Sequence, residues 1–254
     1  MNKLNLITHW SPANILANNF KANPFCLIIL NQPLTRLDTF TRLWNNASIR
    51  VVADGGSNRL YDAFKEDKKK LETYLPDKIL GDLDSIRPEV QSFYASMNVS
   101  IQKNFDQDST DFMKCVDFVK EEEKKINQVY DIVALPALGG RFDQTIASIN
   151  LLYMAQEWED KRRMILVSDE NLTILLNKGI SHIHCLQDIE GPTCGIMPIG
   201  SPAIMTTKGL KWNLEKHKCY FGGMVSTSNA IDSELIEIET DAPLVWTIEI
   251  KPEI

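Results

Sequence analysis

The chain has 254 residues, 44% apolar and 24% charged, with a formal net charge of −7. That length is generous for one hydrophobic core and comfortable for two. The acidic balance argues against sequence-independent nucleic-acid binding, and no stretch approaches the ~18–20 apolar residues that a transmembrane helix needs.

Residues 1–10 carry one lysine, Lys3, and no continuous apolar core, so no secretory signal is expected. The cysteines are Cys26, Cys115, Cys185, Cys194 and Cys219. They are odd in number, widely spread and without a C-x-x-C pair, which suits a reducing compartment and a cytoplasmic location. The three N-x-S/T sequons, at Asn46, Asn98 and Asn171, then read as chance.

Between residues 25 and 168 short apolar runs end in Gly- or Asp-rich turns, and helical patterns follow. The runs at 25–30, 49–53, 78–80, 99–101, 129–135 and 164–167 predict strands buried on both faces. The helical stripes are Leu34, Leu37, Phe40 and Trp44; Leu60, Tyr61 and Phe64; Phe112, Cys115, Val116 and Val119; and Ile146, Ile149, Asn150 and Tyr153. Ser57 and either Ser109 or Thr110 are expected N-caps, and Pro88 suits a first helical turn. The charged segments 65–72 and 120–125 read as solvated. After about Asn177 the stripes give way to period-two alternation at 180–186, 235–239 and 244–250, broken by Gly and Pro. The predicted class is α/β: an N-terminal mostly parallel sheet with helices on both faces, over 1–176, and a C-terminal antiparallel β-sandwich, over 177–254.

In open parallel sheets ligands bind outside the carboxyl ends of the strands. Four such ends read Asp54-Gly55-Gly56-Ser57-Asn58, Gly81-Asp82-Leu83-Asp84-Ser85, Asp106-Gln107-Asp108-Ser109-Thr110-Asp111 and Gly139-Gly140-Arg141-Phe142-Asp143-Gln144. Each aspartate alone is adequately explained as a turn or cap residue. Together, carboxylates on one rim repel unless a cation sits among them, and a hard cation such as Mg²⁺ shares itself with phosphate oxygens. A Mg²⁺–polyphosphate site is therefore expected. Asp82 and Asp84, two apart, would project to one side of extended backbone, and Asp108 and Asp111 would share a face if both were helical. Gly55-Gly56 and Gly139-Gly140 would let a phosphate or ribose approach the backbone, and Arg141 would offer a planar charge, unless it is simply a surface arginine.

No P-loop, dinucleotide fingerprint or nucleophile elbow is present. His9, His182, His184 and His217 form no zinc-ligand spacing, although His182 and His184 share one face of a strand. Trp212 is either a core aromatic or a platform for a cationic ring, and Ser226, Ser228 and Asn229 are either turn-formers or hydrogen-bonding groups for a polar ring.

In order along the chain, Ala53-Asp54-Gly55-Gly56, Gly81-Asp82-Leu83-Asp84-Ser85, Asp106-Gln107-Asp108-Ser109-Thr110-Asp111, Gly139-Gly140-Arg141-Phe142-Asp143, Gly209-Leu210-Lys211-Trp212 and Ser226-Thr227-Ser228-Asn229 resemble the thiamine pyrophosphokinases of eukaryotic type. The resemblance spans roughly residues 25–251. Ala230 departs from it, where many relatives carry a hydroxyl residue. It implies a homodimeric enzyme, with active sites at the interface, that moves a pyrophosphoryl group from ATP to the hydroxyl of thiamine, giving thiamine diphosphate and AMP with Mg²⁺ as the required ion. By resemblance Asp82, Asp84 and Asp111 hold the metal and, with Arg141 and Asp143, form the catalytic set. Asp54, Gly55, Gly56, Ser57, Gln107, Asp108 and Thr110 belong to the substrate-binding region, and Trp212, Ser228 and Asn229 to the thiamine pocket. Either Asp111 or Asp143 takes the hydroxyl proton. No nucleic acid or membrane partner is expected. The rival readings are a non-catalytic nucleotide- or thiamine-binding protein and a Mg²⁺-dependent phosphohydrolase.

Overall fold

The structure, a computed structural model, describes residues 7–19, 23–160 and 162–252. It divides into two units: one holds described residues 23–169, the other 7–19 with 170–252. The chain begins with β1 (Ile7–Trp10) and a 3-10 turn over Pro12–Leu16, both in the second unit.

The first unit alternates strands and helices in chain order: β2 (Phe25–Ile29), α1 (Leu37–Asn46), β3 (Ile49–Ala53), α2 (Gly56–Phe64), α3 (Lys68–Thr73), β4 (Lys78–Gly81), α4 (Pro88–Ser96), β5 (Ser100–Lys103), α5 (Asp111–Ile126), β6 (Asp131–Leu135), α6 (Phe142–Gln156) and β7 (Met164–Val167). Its strands lie in the order β7-β6-β2-β3-β4-β5, all pairs parallel. Every residue of β2 is buried, as a central strand requires. The chain first builds outward from β2 through β3, β4 and β5, then returns to place β6 on its other side. The loops after β2 and β6 therefore leave in opposite directions and open a crevice at the strands' carboxyl ends.

Helix packing follows the expected stripes in part: Leu37, expected in the α1 stripe, is exposed, and α6 buries a different face. Phe40 and Trp44 of α1 and Phe112, Cys115, Val116 and Val119 of α5 are buried. On α6 the buried residues are Ser148, Leu151, Leu152 and Ala155, while Ile146 is exposed, so the expected stripe through Ile146, Ile149, Asn150 and Tyr153 is not the buried face. The helix carries apolar residues all round, and periodicity alone cannot select a side. Pro88 opens α4 and Thr110 caps α5 as expected, but Ser57 lies inside the first turn of α2, whose cap is Gly55.

The second unit continues with β8 (Asn171–Leu176), β9 (Gly179–His184), β10 (Glu190–Met197), β11 (Ala203–Lys208), β12 (His217–Cys219), β13 (Ser226–Ala230), β14 (Leu235–Thr240) and β15 (Leu244–Ile250). Here the strands run β13-β10-β15-β8 along one row and β1-β9-β14-β11-β12 along the other. Two expectations need correction. The boundary falls at 169/170 and not at 176/177, because β8 pairs with β15 from Leu176↔Leu244 to Asn171↔Glu249. The unit is also not wholly antiparallel: β1 pairs parallel to β9, His9 opposite His182.

Glu190 at the start of β10 is 1% exposed. Its Oε1 accepts the Leu186 N–H at 3.0 Å, the Cys185 thiol stands beside the carboxyl, and Oε2 has no hydrogen-bond partner of ordinary geometry among the described residues. Burial pushes the carboxyl from 4.5 up to about 7. Between those values the folded chain holds a proton that the unfolded chain has released, so stability falls as pH rises across that window. The loss is about 3 kcal/mol. Glu190→Gln, neutral throughout, is expected to match the parent near the lower limit and to exceed it above the upper one. Denaturant melts at both ends check this; an offset independent of pH would refute it.

Candidate active site

The site is assembled from strand ends of the first unit. Asp54 follows β3 with φ 33°, a backbone conformation costly for a residue with a side chain. Its N–H donates to Leu80 O at 2.9 Å, which ties the turn to β4. The side chain is buried; Oδ2 accepts the Ser85 N–H at 3.2 Å, and Oδ1 is buried with no hydrogen-bond partner among the described residues. Burial, then the charges of Asp111 and Asp82, raise its pKa.

After β4 the chain does not stay extended. Leu83 takes φ 59°, and the Asp84 N–H donates to Asp82 Oδ1 at 3.3 Å, so a tight turn draws the two carboxylates together. Ser85 Oγ donates to Asp84 Oδ1 at 2.8 Å; that bond, with the Asp82 contact, lowers the Asp84 pKa. One oxygen from each of Asp54, Asp82 and Asp84 lies within 4.8 Å of the others. Among the described residues no other group of three candidate ligands converges in this way. Gly81 makes room for it: a Cβ there would meet Asp54 Cβ at 2.6 Å and Asp111 Oδ1 at 3.2 Å.

The trio thus contains Asp54 where the resemblance implied Asp111. Asp111, the first residue of α5, sits close by and accepts from Lys114 Nζ at 3.1 Å. Lys114 is itself 4% exposed. A lysine inside a buried helical stripe, three residues after an aspartate, is the signal that would have singled it out. Asp108 precedes the helix, so the expected helical face shared with Asp111 does not form; its N–H donates to Asp106 Oδ1 at 2.9 Å. The Thr110 hydroxyl accepts the Met113 N–H and so serves the cap. Ser57 is buried, with its hydroxyl donating to Asp54 O at 2.6 Å. The space beside Gly55 is filled by Asn31 and that beside Gly56 by Ile29 and Leu30, so these glycines allow the α2 turn to pack on the end of β2.

A cavity of about 540 Å³ spans the crevice. Asp54, Asp82, Asp111 and Lys114 line it on one side, Gln107 and Thr110 above α5, and Gly140, Arg141 and Gln144 across the gap. The loop after β2 contributes Asn31 and Gln32, and α2 contributes Arg59, none of them foreseen from motifs. Arg141 is exposed and donates through Nε to Asp143 Oδ1 at 3.1 Å, which holds the Asp143 carboxyl below its usual range. Asp143 itself does not line the cavity.

In the second unit Trp212 is 55% exposed, and Lys211 Nζ stands 4.8 Å from its ring centre, so the indole face already receives a cation. Ser228 is exposed in the left-handed region at φ 56°. Asn229 is buried: its Oδ1 accepts the Trp212 and Ala230 N–H groups, and its Nδ2 donates to Trp212 O at 2.9 Å and Ser226 Oγ at 3.2 Å. With both acceptor and both donor positions taken, Asn229 anchors the Trp212 backbone.

Fold and site define an α/β protein whose acidic cavity opens at the carboxyl ends of a parallel sheet, joined to a β unit that displays an exposed indole. Comparison with known proteins narrows this. The model of the thiamin pyrophosphokinase catalytic domain matches residues 40–166, and that of the thiamin pyrophosphokinase vitamin B1 binding domain matches 181–245. Thiamine pyrophosphokinase 3 of Oryza sativa subsp. japonica is 44% identical over 239 residues, covering 89% of this chain and 87% of its own. The crystal structure of yeast thiamin pyrophosphokinase superposes with a TM-score of 0.87 at 28% identity, over 99% of this chain and 94% of its own. Thiamin pyrophosphokinase from Candida albicans gives 0.83 at 31% identity, over 96% and 93%. The chain belongs to the thiamine pyrophosphokinase family, alongside its plant and fungal members.

Proposed function

We propose that this chain transfers a pyrophosphoryl group from ATP to the hydroxyl of thiamine, releasing AMP. The observation that carries this is the carboxylate trio Asp54, Asp82 and Asp84 beside the cavity, with Asp54 Oδ1 buried and unpartnered. Such a set is destabilising by itself and is relieved by a hard divalent cation. The donors fit Mg²⁺, held by Asp54, Asp82 and Asp84. When bound, the ion supplies positive charge to polyphosphate oxygens.

The chain's own residues do the rest. Arg141, released from Asp143, is free to meet phosphate oxygens with its planar fork. Lys114 donates to Asp111 and fixes it at the cavity wall. Asp111 is the better candidate to orient the thiamine hydroxyl and take its proton, because it lines the cavity and Asp143 does not. Trp212 offers its face to the thiazolium ring, in place of Lys211. A homodimer with active sites at its interface belongs to the same proposal; the purified protein is expected to run at twice the chain mass, and a monomer would remove this part of it.

The full chain is incubated with ATP, Mg²⁺ and thiamine, with and without chelator, and the adenine product is identified. AMP formed in step with thiamine diphosphate, and abolished by chelator, is expected. ADP or free phosphate without a thiamine requirement would favour a phosphohydrolase. Thiamine binding without ATP turnover would mean a binding protein.

A further inference from the structure

Lys114, Arg141 and Arg59 are the cations that line the cavity. Lys114 is paired with Asp111 at 3.1 Å, and Arg141 is paired with Asp143. Arg59 differs from both. Among the described residues no carboxylate pairs with it, and its Nε donates to the neutral side-chain oxygen of Asn31 at 3.0 Å. It stands exposed in α2 as the fourth residue of the helix, where a cation opposes the helix dipole and no acidic residue of the first turn offsets it. Helix stability alone therefore gives no reason for this arginine. Its orientation is nonetheless built in. Asn31 occupies the space beside Gly55, where a Cβ would collide with the Asn31 amide. The preceding residue, Asn58, donates to Ser85 O at 2.7 Å and accepts the Arg87 N–H at 3.0 Å. The start of α2 is thereby fastened to the turn that carries Asp82 and Asp84.

We propose that Arg59, oriented by Asn31, is a phosphate-binding residue that grips the two phosphates being transferred and not the one that leaves with AMP. The inference rests on the pyrophosphoryl transfer proposed above and deepens it. An amide oxygen orients a guanidinium without neutralising it, so the N–H groups on Nη1 and Nη2 keep their full charge for an anion. One Mg²⁺ leaves a triphosphate with net negative charge, and Lys114 and Arg141 are each shared with an aspartate. Arg59 supplies the unshared positive charge. Because α2 is fastened to the turn of Asp82 and Asp84, its arginine serves the same phosphates as the carboxylate trio. The moving group keeps its β- and γ-phosphates throughout, so a planar fork at this place holds it both in ATP and in thiamine diphosphate. Asn31 acts through Arg59 as a positioning residue.

The test is calorimetric titration of the full chain, in Mg²⁺, with α,β-methylene-ATP, AMP, thiamine diphosphate and thiamine. Arg59→Gln is expected to weaken α,β-methylene-ATP and thiamine diphosphate by about 10–100-fold, the range for lost charge-assisted hydrogen bonds. AMP and thiamine should change by less than about twofold, and the melting temperature of this exposed-site variant should stay within about 2 °C of the parent. Arg59→Lys should recover part of the affinity, since it keeps the charge and loses the fork. Asn31→Ala should weaken the methylene analogue in the parent and add nothing in the Arg59→Gln background. A loss that persists undiminished in that background would overturn the positioning role. Equal weakening of AMP and the methylene analogue, or unchanged affinity for the analogue in Arg59→Gln, would overturn the assignment of Arg59. A parent that binds these probes with the expected Arg59 dependence yet makes no AMP from ATP and thiamine would remove the proposed activity and leave the phosphate contact standing.

Discussion

Replacing Asp54 with asparagine is expected to lower kcat/KM by about 10²–10³-fold while making the metal-free protein more stable. Both effects have one origin. Asp54 is 2% exposed, sits in a costly backbone conformation, leaves Oδ1 unpartnered and lies under the repulsion of Asp111 and Asp82. Asparagine keeps the shape and removes the charge, and its amide N–H groups have carboxylates nearby to receive them. Relief of about 1 kcal/mol corresponds to a rise of about 2–4 °C in melting temperature for a chain of this size. Mg²⁺ should stabilise the parent and leave the variant unmoved. Asp143→Asn, at an exposed residue outside the cavity, should cost less than about tenfold. Near-parental turnover of Asp54→Asn, or a lower melting temperature, would remove Asp54 from the metal site.

Arg162→Met should destabilise the first unit by about 3–5 kcal/mol without touching the cavity. The Arg162 side chain is 1% exposed and grips Glu123 of α5 through Nη1 at 3.0 Å and Nη2 at 2.6 Å, while Nε donates to Asp160 at 3.0 Å. Without it the buried Glu123 carboxylate keeps, among the described residues, the Tyr130 N–H at 2.7 Å. An uncompensated buried charge is the costly outcome, so the double change Arg162→Met with Glu123→Leu should recover most of the loss. Urea melts of the single and double variants decide this. A single variant within about 1 kcal/mol of the parent would mean the clamp contributes little.

Much of the first unit was legible because its signals are local. β3 and β7 coincide with their apolar runs, and Thr110 and Pro88 mark helix starts as their chemistry requires. In the second unit β1, β8, β10, β11, β12 and β13 lie outside the expected runs. β8 is a short apolar run with no alternation, and β1 lies far in sequence from the strand it joins. Asp82 and Asp84 were rightly paired but for a different reason: a left-handed Leu83 brings them together, not an extended strand.

The sequence by itself determined that carboxylates stand at successive strand ends and that helices alternate with strands, since turn chemistry and side-chain period act over a few residues. Only the tertiary structure decided which carboxylates meet. Asp54 and Asp82 come together because β3 and β4 are neighbours in register, and Asn31 and Gln32 reach the cavity because β6 returns beside β2. Distances across a sheet depend on strand order, and strand order is set by how the whole chain buries its apolar faces.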